Sequence, residues 1–278
     1  MIEIVAAGPL TTVQDAGRAG WAALGVPRSG AFDRAAAGLA NRLVGNAPDA
    51  AVLETTLGGL VVRALGAATV AVTGAPCPGA DFGVARTLPA GSTLSLGTPA
   101  VGLRSYLAVR GGVVVEAVLD SRSTDLLSGL GPLPLRAGDR LPVGPAPCNL
   151  PSGAIAAVRM PSGPFRFAAA PRADWFTPAA LALLTDSVWT VRSDSDRIGV
   201  RLDGPPLPRS RDDELPSEPV LPGALQVPPD GRPILLGPDA PVTGGYPVIG
   251  VVAEADLDRA AQVRPGDTIT FRSGSGSG

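Results

Sequence analysis

Histidine and lysine are both missing from the 278-residue chain, and all 23 of its basic residues are arginine. Without imidazole, Ser-His-Asp and Cys-His activation of a nucleophile is excluded, as are the usual zinc and iron ligand sets. Without an amine there is no G-x-x-x-x-G-K-[ST] phosphate loop, no Schiff base and no attachment point for biotin or lipoate. Cysteine is scarce: Cys77 and Cys148 stand 71 residues apart, a spacing that indicates neither a zinc site nor a redox dithiol and predicts two buried free thiols. Long apolar runs are missing too, since Leu57 to Ala75 is interrupted by Arg63 and several glycines and is too broken to span a bilayer. The arginines are scattered and the formal net charge is −2, which leaves no electrostatic footprint for nucleic acid or an anionic membrane. The opening MIEIVAAGPL lacks the basic stretch and apolar core of a secretory signal, so a soluble cytoplasmic protein is expected.

What is present is a 45% apolar chain punctuated by 36 glycines and 30 prolines. These sit between short β-rich runs rather than in repeats, which predicts a mainly β fold with many short strands. Strands are expected at Thr69–Thr73, Thr93–Leu96, Leu103–Val109, Ile155–Arg159, Val188–Arg192, Ile234–Leu236, Val248–Val252 and Thr268–Phe271. Helical spacing is clear only twice. One helix follows Ser29 or Asp33 as cap and stops at Gly45-Asn46 before Pro48; the other follows Thr177, with Pro178 in its first position. Arg136-Ala-Gly-Asp and Arg264-Pro-Gly-Asp echo each other ahead of alternating apolar residues, so each reads as a turn into a closing strand. Two domains follow from that echo, 1–148 and 149–272, with the Ser/Gly tail 273–278 as a flexible linker.

The chemistry left to such a chain is carboxylates as bases, arginines as anion clamps, hydroxyls, and backbone amides in glycine-rich turns. Four segments concentrate it. TTVQDAGRAG crowds Gln14, Asp15 and Arg18 into one loop, where an Asp–Arg pair holding a turn is the plainer alternative. SRSTDL flanks Arg122 with serines, as an anion pocket or a capped turn does. SDSDRIG sets Asp196 beside Arg197 after a strand, a base next to a clamp or a solvated loop. The fourth runs from Gln226 through the turn Pro228-Pro229-Asp230-Gly231 to Thr243-Gly244-Gly245-Tyr246. There, adjacent glycines let amides converge beside two hydroxyls, and Gly245 is expected to need either a positive φ or close ligand approach. The strand between is long enough to carry the chain back beside Gln226, and the prolines brace both loops.

Taken in order, six stretches resemble the family of the 5-oxoprolinase C-type subunit, also described as KipA-like or biotin-dependent carboxyltransferase proteins. They are Thr11 to Asn46, LETTLGG, SRSTDL, DWF, SDSDRIGVRLDGPPL and GALQVPPDGRPILL onward. Pro241-Val242 replaces the family's usual Gln-Thr, and Phe32 stands where methionine is common. The resemblance implies two cyclophilin-like β-barrel-type domains with a few short helices. It also implies a cytoplasmic, heteromeric hydrolase that opens 5-oxoproline to glutamate with ATP and Mg, without covalently attached biotin, in partnership with a B-type (KipI-like) subunit and a lactam-opening A-type subunit. A carboxyltransferase component of a urea-type carboxylase and a noncatalytic antagonist of a kinase inhibitor are the alternatives. On this reading Asp15, Asp196 and Arg197 are the candidate catalytic residues. Gln14, Arg18, Arg122, Gln226, Asp230, Thr243, Gly244, Gly245 and Tyr246 are the candidate substrate contacts, in a cleft whose missing cations come from the partner.

Overall fold

The computed structural model describes residues 1–157, 162–211 and 213–274. The chain is mainly β and forms two compact units, one of Met1–Ala19 with Ser29–Met160, the other of Gly20–Arg28 with Pro161–Gly278. No helix among the described residues is long and apolar enough to cross a membrane.

In the first unit, a five-stranded sheet pairs Leu10–Gln14 with Val52–Thr56, then Arg104–Val109, Ala68–Gly74 and Ala85–Leu88. Alternation along these strands explains its two faces. Val13, Leu53, Leu107 and Val72 point into an apolar core shared with Ile2, Ile4, Leu60 and Val62 of a second, four-stranded sheet. The opposite face packs Val52, Ala71, Tyr106 and Ala108 against the small side of the helix Arg34–Leu43, where Ala36, Ala37 and Ala40 let it sit close. Asp33 caps that helix by accepting from Ala36 N at 2.8 Å; the hydroxyl of Ser29, the other expected cap, donates instead to Thr124 O at 2.9 Å.

The second unit winds eight strands into one sheet whose two end strands are Thr268–Ile269 and Phe271–Ser273. These are consecutive in the chain, so one short segment pairs with Trp189–Val191 on one edge and with Phe165–Ala169 on the other, and the sheet nearly closes on itself as a barrel. The echoed Arg-x-Gly-Asp sequences form the same turn twice. In each, the aspartate accepts from the arginine N–H, at 2.7 Å for Arg136 with Asp139 and 2.8 Å for Arg264 with Asp267. Gly138 and Gly266 supply the positive φ that the third turn position needs.

Seven of the eight expected strands are present, the last divided in two after Ile269. Within the expected Ile155–Arg159, residues 155–157 form no strand and the remaining two lie outside the described residues, as do the last four residues of the Ser/Gly tail. The thiols are both free, but only Cys77 is buried; Cys148 is exposed, because it falls in the proline-rich irregular stretch that follows the closing strand of the first unit.

The third helix, Glu254–Ala260, is held to strand Phe165–Ala169 by Asp256. That carboxylate accepts from Arg166 N at 2.9 Å and from its guanidinium at 2.9 and 3.0 Å. The Arg166 hydrogen bonds hold the Asp256 carboxyl below the ordinary carboxylate range. A folded pKa below the unfolded one gives stability that is present above the unfolded value, about 3.9, and is lost as pH falls through the folded value. Asp256→Asn is therefore expected to lower the melting temperature at neutral pH. The difference from wild type should close as a pH series of thermal melts descends below that range.

Candidate functional site

Two polar constellations emerge, one in each unit. In the first, Asp15 leaves the end of strand Leu10–Gln14 and faces the SRSTDL loop. Its Oδ1 accepts from the hydroxyls of Ser121 at 2.6 Å and Ser123 at 2.5 Å, and from Gly17 N at 2.8 Å; Oδ2 accepts from Arg122 N at 2.6 Å. Arg18 is buried and donates to the carbonyls of Val118, at 3.1 Å, and Ser123. Arg122 Nε donates to Val115 O at 3.1 Å. The expected Asp–Arg turn is thus built through backbone rather than through a carboxylate–guanidinium contact between Asp15 and Arg18.

Beneath this loop lies Gln14, buried, its Nε2 donating to Thr12 Oγ1 and to Thr124 O, both at 3.0 Å. Gln14 Oε1, Thr124 Oγ1 and Asp125 Oδ2 are buried with no hydrogen-bond partner among the described residues. Groups of this kind cost about 1–3 kcal/mol each until they acquire a partner. Further along the helix-facing side of the sheet, Thr12, Glu54, Tyr106 and Thr73 stand in one row across four strands. Glu54 accepts from Phe32 N at 2.9 Å and lies 3.6 Å from Arg104, whose guanidinium stacks over the Phe32 ring at 4.6 Å. Burial, with Glu54 and Asp33 nearby, pushes the Tyr106 hydroxyl well above its ordinary pKa, so it stays protonated while accepting from Asp33 N at 2.7 Å. Sequence reasoning passed over Glu54, Arg104 and Tyr106, because their charge pairing spans strands rather than neighbouring positions.

In the second unit, Asp196 and Arg197 are neighbours in sequence but not in role. Asp196 is exposed, and its Oδ1 accepts from Ile198 N at 2.8 Å and Gly199 N at 3.0 Å, closing a turn. Arg197 is fully buried and clasps Asp239 through two contacts of 2.9 Å. Asp230 sits at the tip of the proline turn, exposed, accepting from Arg232 N at 3.1 Å.

The remaining candidates do converge. Strand Ala224–Gln226 pairs with Ile234–Leu236 and with Val248–Val252, so the chain returns beside Gln226 as expected. Gln226 Nε2 donates to Tyr246 O at 3.3 Å, and Thr243–Gly244 pairs with Glu218–Pro219. Neither glycine adopts a left-handed φ. Close approach belongs to Gly244, not Gly245: a Cβ there would lie 2.5 Å from Gln226 Nε2, whereas at Gly245 the nearest atom would be 3.4 Å away. Tyr246 is 45% exposed. Ala224, Gln226, Val248 and Val251 share the sheet face opposite Leu225 and Gly250, and a cleft of about 320 Å³ opens along it, with Arg172 and Glu218 at its edge. Those two residues carried no sequence signal, being single charges 46 positions apart in segments without a motif.

Residues 24–273 match the family model described as carboxyltransferase domain, subdomain A and B. The chain is 41% identical to the C-type subunit of 5-oxoprolinase from Escherichia coli (strain K12), over 98% of this chain and 90% of that protein. Among solved structures it is similar to TTHA0988, with a TM-score of 0.89 and 36% identity over 98% of this chain and 55% of that one. It is also similar to the Kluyveromyces lactis urea amidolyase, with a TM-score of 0.91 and 31% identity over 99% of this chain and 19% of that one. The chain thus spans little more than half of the first solved protein and about a fifth of the second.

Proposed function

Because the chain belongs to the carboxyltransferase domain, subdomain A and B, family, we propose that it is the C-type subunit of an ATP-dependent 5-oxoprolinase, active with a B-type and an A-type partner in the cytoplasm. The observation that carries this reading is the match to the E. coli protein along nearly its whole length. The composition supports the need for partners: with no lysine or histidine, the chain has only arginines and amides with which to meet phosphate charge. Among the described residues no group of three or more acidic or cysteine side chains is gathered to hold a metal ion. In this reading Mg–ATP is bound in the assembled complex, at a site that the partners complete.

The substrate meets the cleft along the Ala224–Gln226 face, which Thr243–Gly244 flanks by pairing with Glu218–Pro219, while Asp15 and Arg197 are positioning residues that act through the loops they hold. Reconstitution tests it. ATP-dependent consumption of 5-oxoproline is expected only when all three kinds of subunit are mixed, with the isolated chain inert. Turnover by the isolated chain at the rate of the assembly would overturn partner dependence. Carboxylation of urea in the presence of a biotin carrier, with no consumption of 5-oxoproline, would replace this reading by the carboxyltransferase one. Partner assembly without either activity would leave the antagonist role.

A further inference from the structure

The cleft on the Ala224–Gln226 face is walled by small apolar side chains, Val220, Ala224, Val248 and Val251 among them, and has one ion pair at its edge. Arg172 Nε donates to Glu218 Oε2 at 2.7 Å. The two Nη atoms of Arg172 and Oε1 of Glu218 make no hydrogen bond among the described residues, and the side chains are 42% and 23% exposed. A guanidinium engaged only through Nε still presents a free pair of parallel donors, the geometry that takes a carboxylate in a fork. Glu218 then offers its remaining oxygen to a hydrogen-bond donor close to that carboxylate. At about 320 Å³ the cleft lies at the small end of ligand sites.

We propose that this cleft binds a small carboxylic acid bearing a neutral N–H on the atom next to its acid-bearing carbon. The carboxylate sits on Arg172, the N–H donates to Glu218, and the compact apolar body lies against Val220 and Val248. Glu218 would accept from an amide N–H or an ammonium alike, so the choice of a neutral N–H rests on the function proposed above. A five-membered lactam acid has this arrangement, so the assignment of 5-oxoproline to the cleft rests on the function proposed above, whereas the pairing of a carboxylate with Arg172 and of a hydrogen-bond donor with Glu218 rests on the side chains. Glu218 holds one side of the guanidinium that the ligand needs, which makes it both a contact and an internal competitor for Arg172.

Ligand-observed NMR on the intact chain tests this with four probes: 5-oxoproline, proline, cyclopentanecarboxylate and 2-pyrrolidinone. The wild type is expected to prefer 5-oxoproline. Arg172→Met should weaken it at least about tenfold, equivalent to about 1.4 kcal/mol, and remove the preference over 2-pyrrolidinone, which has no carboxylate. Glu218→Gln keeps an acceptor oxygen and removes the competing charge, so 5-oxoproline should bind several-fold more tightly. A salt bridge that only braces the fold predicts instead that both variants lower the melting temperature and neither changes probe affinity, and that result would overturn the proposal. Tighter binding of proline than of 5-oxoproline would overturn the choice of a neutral N–H. Turnover by the assembled complex separates the two ideas. Consumption of 5-oxoproline with a KM indifferent to Arg172→Met defeats the cleft and leaves the function standing, whereas the expected binding without consumption does the reverse.

Discussion

Asp239→Ala is expected to destabilise the second unit by about 3–5 kcal/mol, the loss typical of breaking a buried ion pair by removing one of its members. Arg197 and Asp239 are 1% and 0% exposed and are joined by two contacts of 2.9 Å. The pair also fixes backbone. Asp239 N donates to Arg197 O at 3.2 Å, and Gly237 N donates to Ile198 O at 2.8 Å, which stitches the SDSDRIG loop to the segment leading into Thr243–Gly244. Urea unfolding of the chain measures the loss, and a change below about 1 kcal/mol would show that the pair is not held in low dielectric. An apolar pair, Arg197→Met with Asp239→Leu, should recover part of the stability because it removes both desolvation costs together. If turnover by the assembled complex survives in that double variant, Arg197 serves the site by position and not by charge.

The parts of this fold that were legible in the sequence are those whose cause is local. Runs such as Leu103–Val109 and Val248–Val252 became strands because short, β-prone apolar stretches pack on both faces. The paired Arg-x-Gly-Asp turns were legible because the glycine and the aspartate each have a single local task. Strand Leu10–Gln14 was not. Its Thr11, Thr12 and Gln14 are polar yet buried, and a buried polar face erases the alternation that marks a strand. The two-residue strands Glu218–Pro219 and Thr243–Gly244 are too short for any pattern and exist only through their mutual pairing.

The site divides the same way. That Gln226 would return beside the Thr243–Tyr246 stretch followed from strand length, and the 3.3 Å contact to Tyr246 O bears that out. Which glycine lies close to a neighbour did not follow, because the approach at Gly244 depends on where a side chain from another strand points. Arg197 read as a clamp beside Asp196, because a sequence displays its neighbours and hides a partner 42 positions away. A buried guanidinium takes whichever carboxylate the fold delivers to it, and only the closed sheet delivers Asp239.

Asp15→Asn is expected to remove about 2–4 kcal/mol from the first unit while leaving the size of the side chain unchanged. Asp15 receives four donors, two serine hydroxyls and the N–H groups of Gly17 and Arg122. Hydrogen bonds to an ionised acceptor contribute about 1.5–3 kcal/mol each, and a donor left facing another donor loses that and adds repulsion. An asparagine has one acceptor oxygen for these donors. If it keeps Ser121, Ser123 and Gly17, its amide N–H groups meet Arg122 N across 2.6 Å. Arg122 would then swing from its contact with Val115 O, and the loop above Gln14 and Thr124 would lose its fixed shape. A carboxylate acting as a base predicts a different pattern. Turnover would fall by orders of magnitude with the melting temperature little changed, and Asp15→Glu, which restores the charge in a longer side chain, would recover part of the rate. The architectural role predicts that Asp15→Glu is as damaging as Asp15→Asn, since an extra methylene cannot fit between two hydroxyls held at 2.5 and 2.6 Å. Thermal melts of the chain, read beside turnover of the assembled complex for both variants, decide between the two: loss of stability and rate together assigns Asp15 to the loop, and loss of rate alone assigns it to the chemistry.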